Sequence, residues 1–243
     1  MKLFADYHTH TIYSHGKGTI RENVEVAIKK GLKEIAISDH GQGHATYGVK
    51  KGSLKKMREE INELNKEYKE IKILLGVEAN LISCDGFIDV SAEDIEIVDM
   101  LLVGFHNGAV PYSFRDAHKL YIRNYLSNTF KFMRKKCIVD NTDAMIRAIE
   151  RYNIDIITHP GAKIDLDIKR LAGAAGKKGT ALEINSSHGN LTLEYAKIAM
   201  MEDVKFVISS DAHIPSNVGN FEIGIKIAQD AGIPLYRIIN AEK

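Results

Sequence analysis

The chain has almost no excess of charge of either sign: 33 Lys and Arg against 32 Asp and Glu leave +1 at pH 7 over 243 residues. That balance excludes a whole-chain electrostatic argument for nucleic acid or an anionic membrane and leaves only local patches. Cysteine is equally scarce. Cys84 and Cys137 stand far apart with no Cys-x-x-Cys pair, which excludes a disulfide framework and a thiolate zinc knuckle and fits a reducing compartment. No apolar run approaches the roughly 18 residues that suggest a membrane span. Met1-Lys2-Leu3 runs at once into Asp6 and His8, which interrupts any signal-peptide core. A soluble cytoplasmic protein is expected, with neither membrane nor nucleic acid as its main partner.

Histidine, by contrast, is plentiful and ordered. Seven of the ten histidines fall in short motifs: His8-Thr9-His10 with His15, Asp39-His40, Gly-Phe-His106, Thr-His159-Pro-Gly and Asp211-Ala-His213. Glu78 occupies Gly-Val-Glu-Ala-Asn, and each motif closes a run that reads as a β-strand. Alternate strand residues share a face, so His8 and His10 can grip one ion from the same side. Imidazole and carboxylate suit zinc, iron and manganese, and several such groups converging at strand ends point to a polynuclear metallohydrolase. Histidines serving only buried backbone groups would not recur after apolar strand after apolar strand.

The strand runs are 3–8, 34–38, 73–77, 100–105, 154–158, 180–184 and 205–209. Mixed-charge helices follow most of them, at 21–30, 54–69, 142–151, 167–177, 193–201 and 222–231, with Gly31, Gly179 and Gly232 at helix C-termini. Repeated strand–helix alternation predicts a parallel sheet covered by helices in one α/β domain, for which 44% hydrophobic content is ample. An open doubly wound sheet gathers ligands at one switch point, whereas ligands at nearly every strand end require those ends to form a ring. A distorted (β/α)7 barrel, TIM-like but without an eighth strand, is therefore expected. Asp85-Gly86 signals a two-residue hairpin turn within 80–90, and 107–139 forms an insertion too long for a simple loop, suited to a lid or a contact surface.

Taken together, Asp-Tyr-His-Thr-His at the start, Ser-Asp-His-Gly at 38–41, Gly-Val-Glu-Ala-Asn at 76–80, Gly-Phe-His at 104–106, Thr-His-Pro-Gly at 158–161 and Ser-Ser-Asp-Ala-His at 209–213 resemble the PHP (polymerase and histidinol phosphatase) family. The likeness spans nearly the whole chain and is greatest to stand-alone bacterial phosphatases with three metals. It implies one ion on His8, His10, Glu78 and Asp211, a second on Glu78 as bridge with His106 and His159, and a third on His15, His40 and His213. Zinc is the first choice for these three divalent transition-metal ions, with manganese or iron as alternatives.

Three divalent ions less two carboxylates leave about four positive charges at the pocket, a trap for phosphate. A metal pair about 4 Å apart can hold a hydroxide for in-line attack, so no protein nucleophile is needed. The expected activity is that of a metal-dependent phosphoric ester hydrolase, a phosphomonoesterase acting on a small phosphorylated substrate. Its hydroxide would be held by Glu78, Asp211, His8 and His10. Histidinol-phosphate phosphatase is the rival within the class. An amidohydrolase would present a lysine on the fourth strand of eight, where this chain has His106. A non-catalytic module of the kind attached to polymerases is disfavoured by the full donor set.

Weaker candidates carry plainer readings beside them. Asp6 and Asp39 either orient ligand imidazoles or bond loop backbone. His188 could meet a substrate or protonate a leaving group, although a surface-loop histidine is the simpler reading, as it is for His44 and His118. Lys163, just past His159, is placed for a phosphate contact. The insertion sets Arg115, Arg123 and further cations among aromatics, which suits either substrate binding or a solvated face in contact with a second copy. Gly176-Lys-Lys-Gly-Thr180 lacks P-loop spacing and reads as a helix end.

Overall fold

The computed structural model of the protein describes residues 1–187 and 191–242. Its strands are β1 (Ala5–Asp6), β2 (Glu34–Ile37), β3 (Lys72–Asn80), β4 (Met100–Gly104), β5 (Ile156–Ile157), β6 (Ala181–Asn185) and β7 (Lys205–Ser209). All six neighbouring pairs are parallel, in the order β1 to β7. The helices are α1 (Ile20–Lys29), α2 (Ser53–Glu67), α3 (Ala92–Ile95), α4 (Phe114–Asp116), α5 (Arg123–Thr129), α6 (Arg134–Arg151), α7 (Ile168–Lys178), α8 (Leu193–Ala199) and α9 (Glu222–Asp230). This is the TIM-like (β/α)7 barrel that the strand count predicts.

Local chemistry sets the helix ends. Thr19 and Glu22 form a reciprocal capping box that starts α1, and Ile20, Val24 and Ala27 turn its apolar face inward. Gly179 takes φ +77° where α7 ends, the left-handed conformation that glycine adopts at no steric cost. Strand residues are apolar on both faces because both are covered: Ile35, Ile73, Val103 and Phe206 pack outward on helices, while Ala36, Leu102, Ile156 and Val207 fill the barrel.

Seven strands leave a seam between β1 and β7, and two devices close it. Toward the C-terminal ends of the strands, Thr9 and Ala212 form a single parallel bridge, with His10 N–H donating to Ala212 O at 2.8 Å. Deeper down, the C-terminal segment lies across the gap. The buried Asn240 amide donates to Ala5 O (2.8 Å) and Ile208 O (2.7 Å), and its oxygen accepts from Ile208 N–H (3.2 Å). One side chain thus takes the place of ladder hydrogen bonds that an eighth strand would make.

The structure revises several sequence-based boundaries. β3 continues to Asn80, paired with Gly104, so Glu78 sits within a strand rather than beyond its end. β1 and β5 shrink to two residues each. The predicted hairpin exists, with Leu81 bridged to Ile88, but its loop holds four residues, Ser83 to Gly86, because Ile82 N–H pairs with Phe87 O. Within the 107–139 segment α6 begins at Arg134, and it runs on to Arg151 ahead of β5. Before it stand α4, a π-helical stretch over Ala117–Ile122 and α5. In the π stretch, Arg123 N–H reaches the His118 carbonyl five residues back.

Candidate metal centre

All nine sequence-predicted ligands converge at the C-terminal mouth of the barrel. Period-two alternation aims Glu78 and Asn80 of β3, Glu183 and Asn185 of β6, and His106 beyond β4 toward the axis. Gly104 makes room there: a Cβ on it would lie 2.3 Å from Thr158 Oγ1 and about 3 Å from the His106 and His159 rings. His159 and Asp211 adopt φ of +29° and +52°, conformations costly for non-glycine residues that turn both side chains into the mouth.

Glu78 is the centre of the arrangement. Its Oε2 lies 2.9 Å from His40 Nδ1, 3.3 Å from His8 Nε2 and 3.7 Å from His10 Nε2, while Oε1 lies 3.0 Å from His159 Nε2 and 3.5 Å from His106 Nε2. The two oxygens therefore face two separate sets of histidines. Asp211 Oδ1 sits 3.2 Å from His10 Nε2, 3.5 Å from His213 Nδ1 and 3.6 Å from His8 Nε2. His10, His15, His40 and His213 form one group of mutually close donor atoms, His8, His10 and Asp211 a second, and His40, Glu78 and His106 a third.

These residues fit metal ions. His8 Nε2 and His10 Nε2 are 3.1 Å apart, close to the edge of a tetrahedron whose corners lie about 2.0–2.1 Å from zinc. Glu78 Oε2 and the Nδ1 atoms of His15 and His40 are buried without a hydrogen-bond partner among the described residues, a cost that bound cations would offset. His40 Nδ1 and Glu78 Oε2 lie 2.9 Å apart, yet neither atom has a hydrogen-bond partner among the described residues. The set is all nitrogen and oxygen, which suits zinc, manganese or iron.

Protonation favours the same use. Burial alone would raise Glu78, but His106, His8 and His40 hold it well below the usual carboxylate range, and His8 and His10 hold Asp211 down against the same burial. Burial pushes His10 and His106 well below the ordinary imidazole value and His15 down to about 4, so these rings are neutral at pH 7 with lone pairs to give. His8 and His159 differ: burial lowers both, yet Glu183, Glu78 and Asp211 raise His8 well above that value, and Glu78, with Glu183 and Asp211, raises His159.

A second layer of residues orients the ligands, and sequence reasoning missed most of it. His8 Nδ1 donates to Glu183 Oε1 at 2.7 Å, both groups fully buried, and Glu183 Oε2 accepts from His159 N–H (2.7 Å) and Asn185 Nδ2 (3.2 Å). Asn185 Nδ2 also reaches Asp211 Oδ2 at 3.0 Å. His106 Nδ1 donates to Asn80 Oδ1 (2.7 Å), and Asn80 Nδ2 donates to the half-buried Asp89, whose carboxyl is pushed up to about 6 by desolvation. Each such bond fixes a tautomer and leaves Nε2 for an ion. One signal was available: Glu183 is the lone charge in the apolar run Ala181–Asn185.

The weaker candidates separate. Asp6 accepts from Ser210 N–H, Ser210 Oγ and Gly219 N–H, and Asp39 from Thr11 N–H, Thr11 Oγ1 and Ser14 Oγ, so both hold the ligand loops rather than an imidazole. His44 is not on the surface: it lines the histidine pocket, stacks between His40 and Tyr47, and accepts from Tyr47 N–H. His118 is exposed, as expected. Lys163 lines the pocket mouth. Arg115 does not: it pairs with Asp85 on the hairpin, half exposed. Arg123 is buried against Asp140 and Cys137. His188 lies outside the described residues.

The fold and this donor cluster define the class: metal-dependent phosphatases built on a seven-stranded barrel. The PHP domain family matches residues 6–187, and the chain belongs to that family. Among its relatives, a protein of Shewanella frigidimarina named "Probable phosphatase" is 32% identical, with 99% of this chain and 90% of the relative covered. One from Thermoanaerobacter sp. (strain X514) with the same description is 33% identical over 100% of this chain and 92% of its own. The histidinol phosphate phosphatase of Lactococcus lactis, solved with zinc, L-histidinol and phosphate, has the same fold. It superposes with a TM-score of 0.58 at 17% identity, over 95% of this chain and 94% of that one. No described helix is long and apolar enough to cross a membrane.

Proposed function

We propose that the protein is a phosphomonoesterase holding three divalent ions: one through His8, His10, Glu78 and Asp211, one through Glu78, His106 and His159, and one through His15, His40 and His213. The observation that carries this reading is Glu78, whose two oxygens face different histidine sets, the geometry of a bridging carboxylate. Zinc is favoured by the nitrogen-rich set and by its presence in the Lactococcus lactis neighbour. When bound, the ions supply Lewis acidity to phosphoryl oxygens and make water a nucleophile near neutral pH.

The chain's own residues do the rest. Glu183 and Asn80 hold the His8 and His106 rings in place, Asp39 and Asp6 pin the loops that carry His10, His15, His40 and Asp211, and Lys163 offers a cation to a phosphate oxygen. The amidohydrolase reading loses ground because His106 occupies the end of β4 and the barrel has seven strands. Metal-saturated protein analysed by plasma mass spectrometry should carry close to three ions per chain, and His40→Ala should lose one while keeping the Glu78-linked pair. Phosphate release from p-nitrophenyl phosphate should vanish with chelator and return with zinc or manganese. At most one ion in saturated wild type would overturn the trinuclear reading, and no phosphate release by three-metal protein would overturn the phosphatase.

A further inference from the structure

The histidine pocket is small, about 310 Å³. Sites for whole drug-sized ligands occupy roughly 300–1,000 Å³, so three ions, water and one phosphoryl group leave little of this volume for the rest of an ester. A second cavity of about 750 Å³ adjoins it, and Asn107, Ala162 and Lys163 line both. The insertion supplies one wall of it, through the π-helical stretch and α5. The segment after β5 supplies the other, from Gly161 to Asp165.

The lining is selective. Tyr121, Ile122, Tyr125 and Ile164 present rings and aliphatic groups, with neutral amides and a hydroxyl between them. Lys163 is its one cation and Asp165 its one acid among the described residues. Asp165 is already engaged, because Arg134 Nε and Nη2 donate to its two oxygens at 2.6 and 3.0 Å. Asn124 is engaged too, with Leu120 O and Asn141. Among the described lining residues no carboxylate without a partner awaits an ammonium group, which would lose its hydration without an opposite charge in return. Tyr125, 78% exposed, has a ring free to cover a flat group.

We infer that this cavity is the leaving-group site, and that the substrate is a phosphomonoester of a bulky, uncharged, ring-bearing alcohol of about nucleoside size, not of an amino alcohol. Hydrolysis places the phosphoryl group among the histidines, forms a bond from a water oxygen to phosphorus as the bond from phosphorus to the ester oxygen breaks, and returns the alcohol, carrying a proton from that water, into the second cavity. Lys163 stands at the junction, where it meets the phosphate and not the ring. The inference rests on the phosphatase reading above and extends it to substrate choice.

The test compares three primary-alcohol esters on the metal-loaded protein: adenosine 5′-monophosphate, glycerol 1-phosphate and L-histidinol phosphate. The ammonium beside the L-histidinol alcohol makes it the better leaving group, so a kcat/KM preference for the adenosine ester reports the cavity and not leaving-group chemistry. The adenosine ester should be preferred by about tenfold or more over each of the others. Tyr125→Ala should raise its KM by about tenfold with little change in kcat, and should weaken binding of adenosine alone, read by calorimetry. Equal or better turnover of L-histidinol phosphate, or adenosine binding unaffected by Tyr125→Ala, would overturn the leaving-group site while p-nitrophenyl phosphate hydrolysis kept the phosphatase reading intact. Loss of all phosphate release would overturn both.

Discussion

Replacing Glu183 by Gln tests whether the second layer of residues sets the metal centre. The substitution keeps volume and removes one charge from a fully buried group that serves three donors: His8 Nδ1 at 2.7 Å, His159 N–H at 2.7 Å and Asn185 Nδ2 at 3.2 Å. A glutamine offers one oxygen and one NH2, so either the NH2 faces the His159 N–H or it faces His8 Nδ1 and forces that ring to accept there and carry its proton on Nε2. That mismatch costs about 1–3 kcal/mol. For a chain of this size it should lower the melting temperature of the metal-free protein by about 2–4 °C per kcal/mol. Loss of the charge also frees the His8 tautomer, and changes to such partners typically weaken a site about 10–100-fold, or roughly 1.4–2.7 kcal/mol. Competition against a chelator of known affinity, with bound metal counted at each step, should show one ion of the cluster released about 10–100-fold more readily. Phosphate release should fall with the occupancy of that ion. Retention of all ions within twofold of wild type would refute the reasoning and reduce Glu183 to a loop anchor for His159.

Two further outcomes follow from the fold. Asn240→Leu leaves two strand carbonyls and one N–H unpaired at the β1–β7 seam, costing about 3–9 kcal/mol in total and upwards of about 6 °C in calorimetric melting temperature; a loss under about 1 kcal/mol would mean the seam holds without it. Burial pushes the Cys84 thiol up to about 11, with Asp116 adding to it. At pH 8 it should react with a thiol-disulfide reagent about a hundredfold more slowly than a free cysteine, and a free-thiol rate in the native protein would contradict that burial.

Much of this architecture was legible in the sequence because it is written in short-range periods. The β-branched runs at 34–38 and 205–209, the glycines after α1, α7 and α9, and the ligand motifs at strand ends are local signals, and one chain direction repeated seven times forces a ring. The strand–helix alternation, and a set of imidazoles and carboxylates that a parallel barrel must bring to one rim, follow from the residues alone. How Glu78 divides its oxygens between histidines from β1, β2, β4 and β5 follows from packing, since it depends on register across β3. The folded structure alone shows Glu183, unmarked by any motif, under His8, and Asn240, 235 residues from Ala5, closing the seam. It also moved Arg115 away from the pocket and placed His44 in it, because a side chain's reach depends on the turn that carries it. The residues' chemistry can be read one at a time; their distances come from packing, which couples positions the whole length of the chain apart.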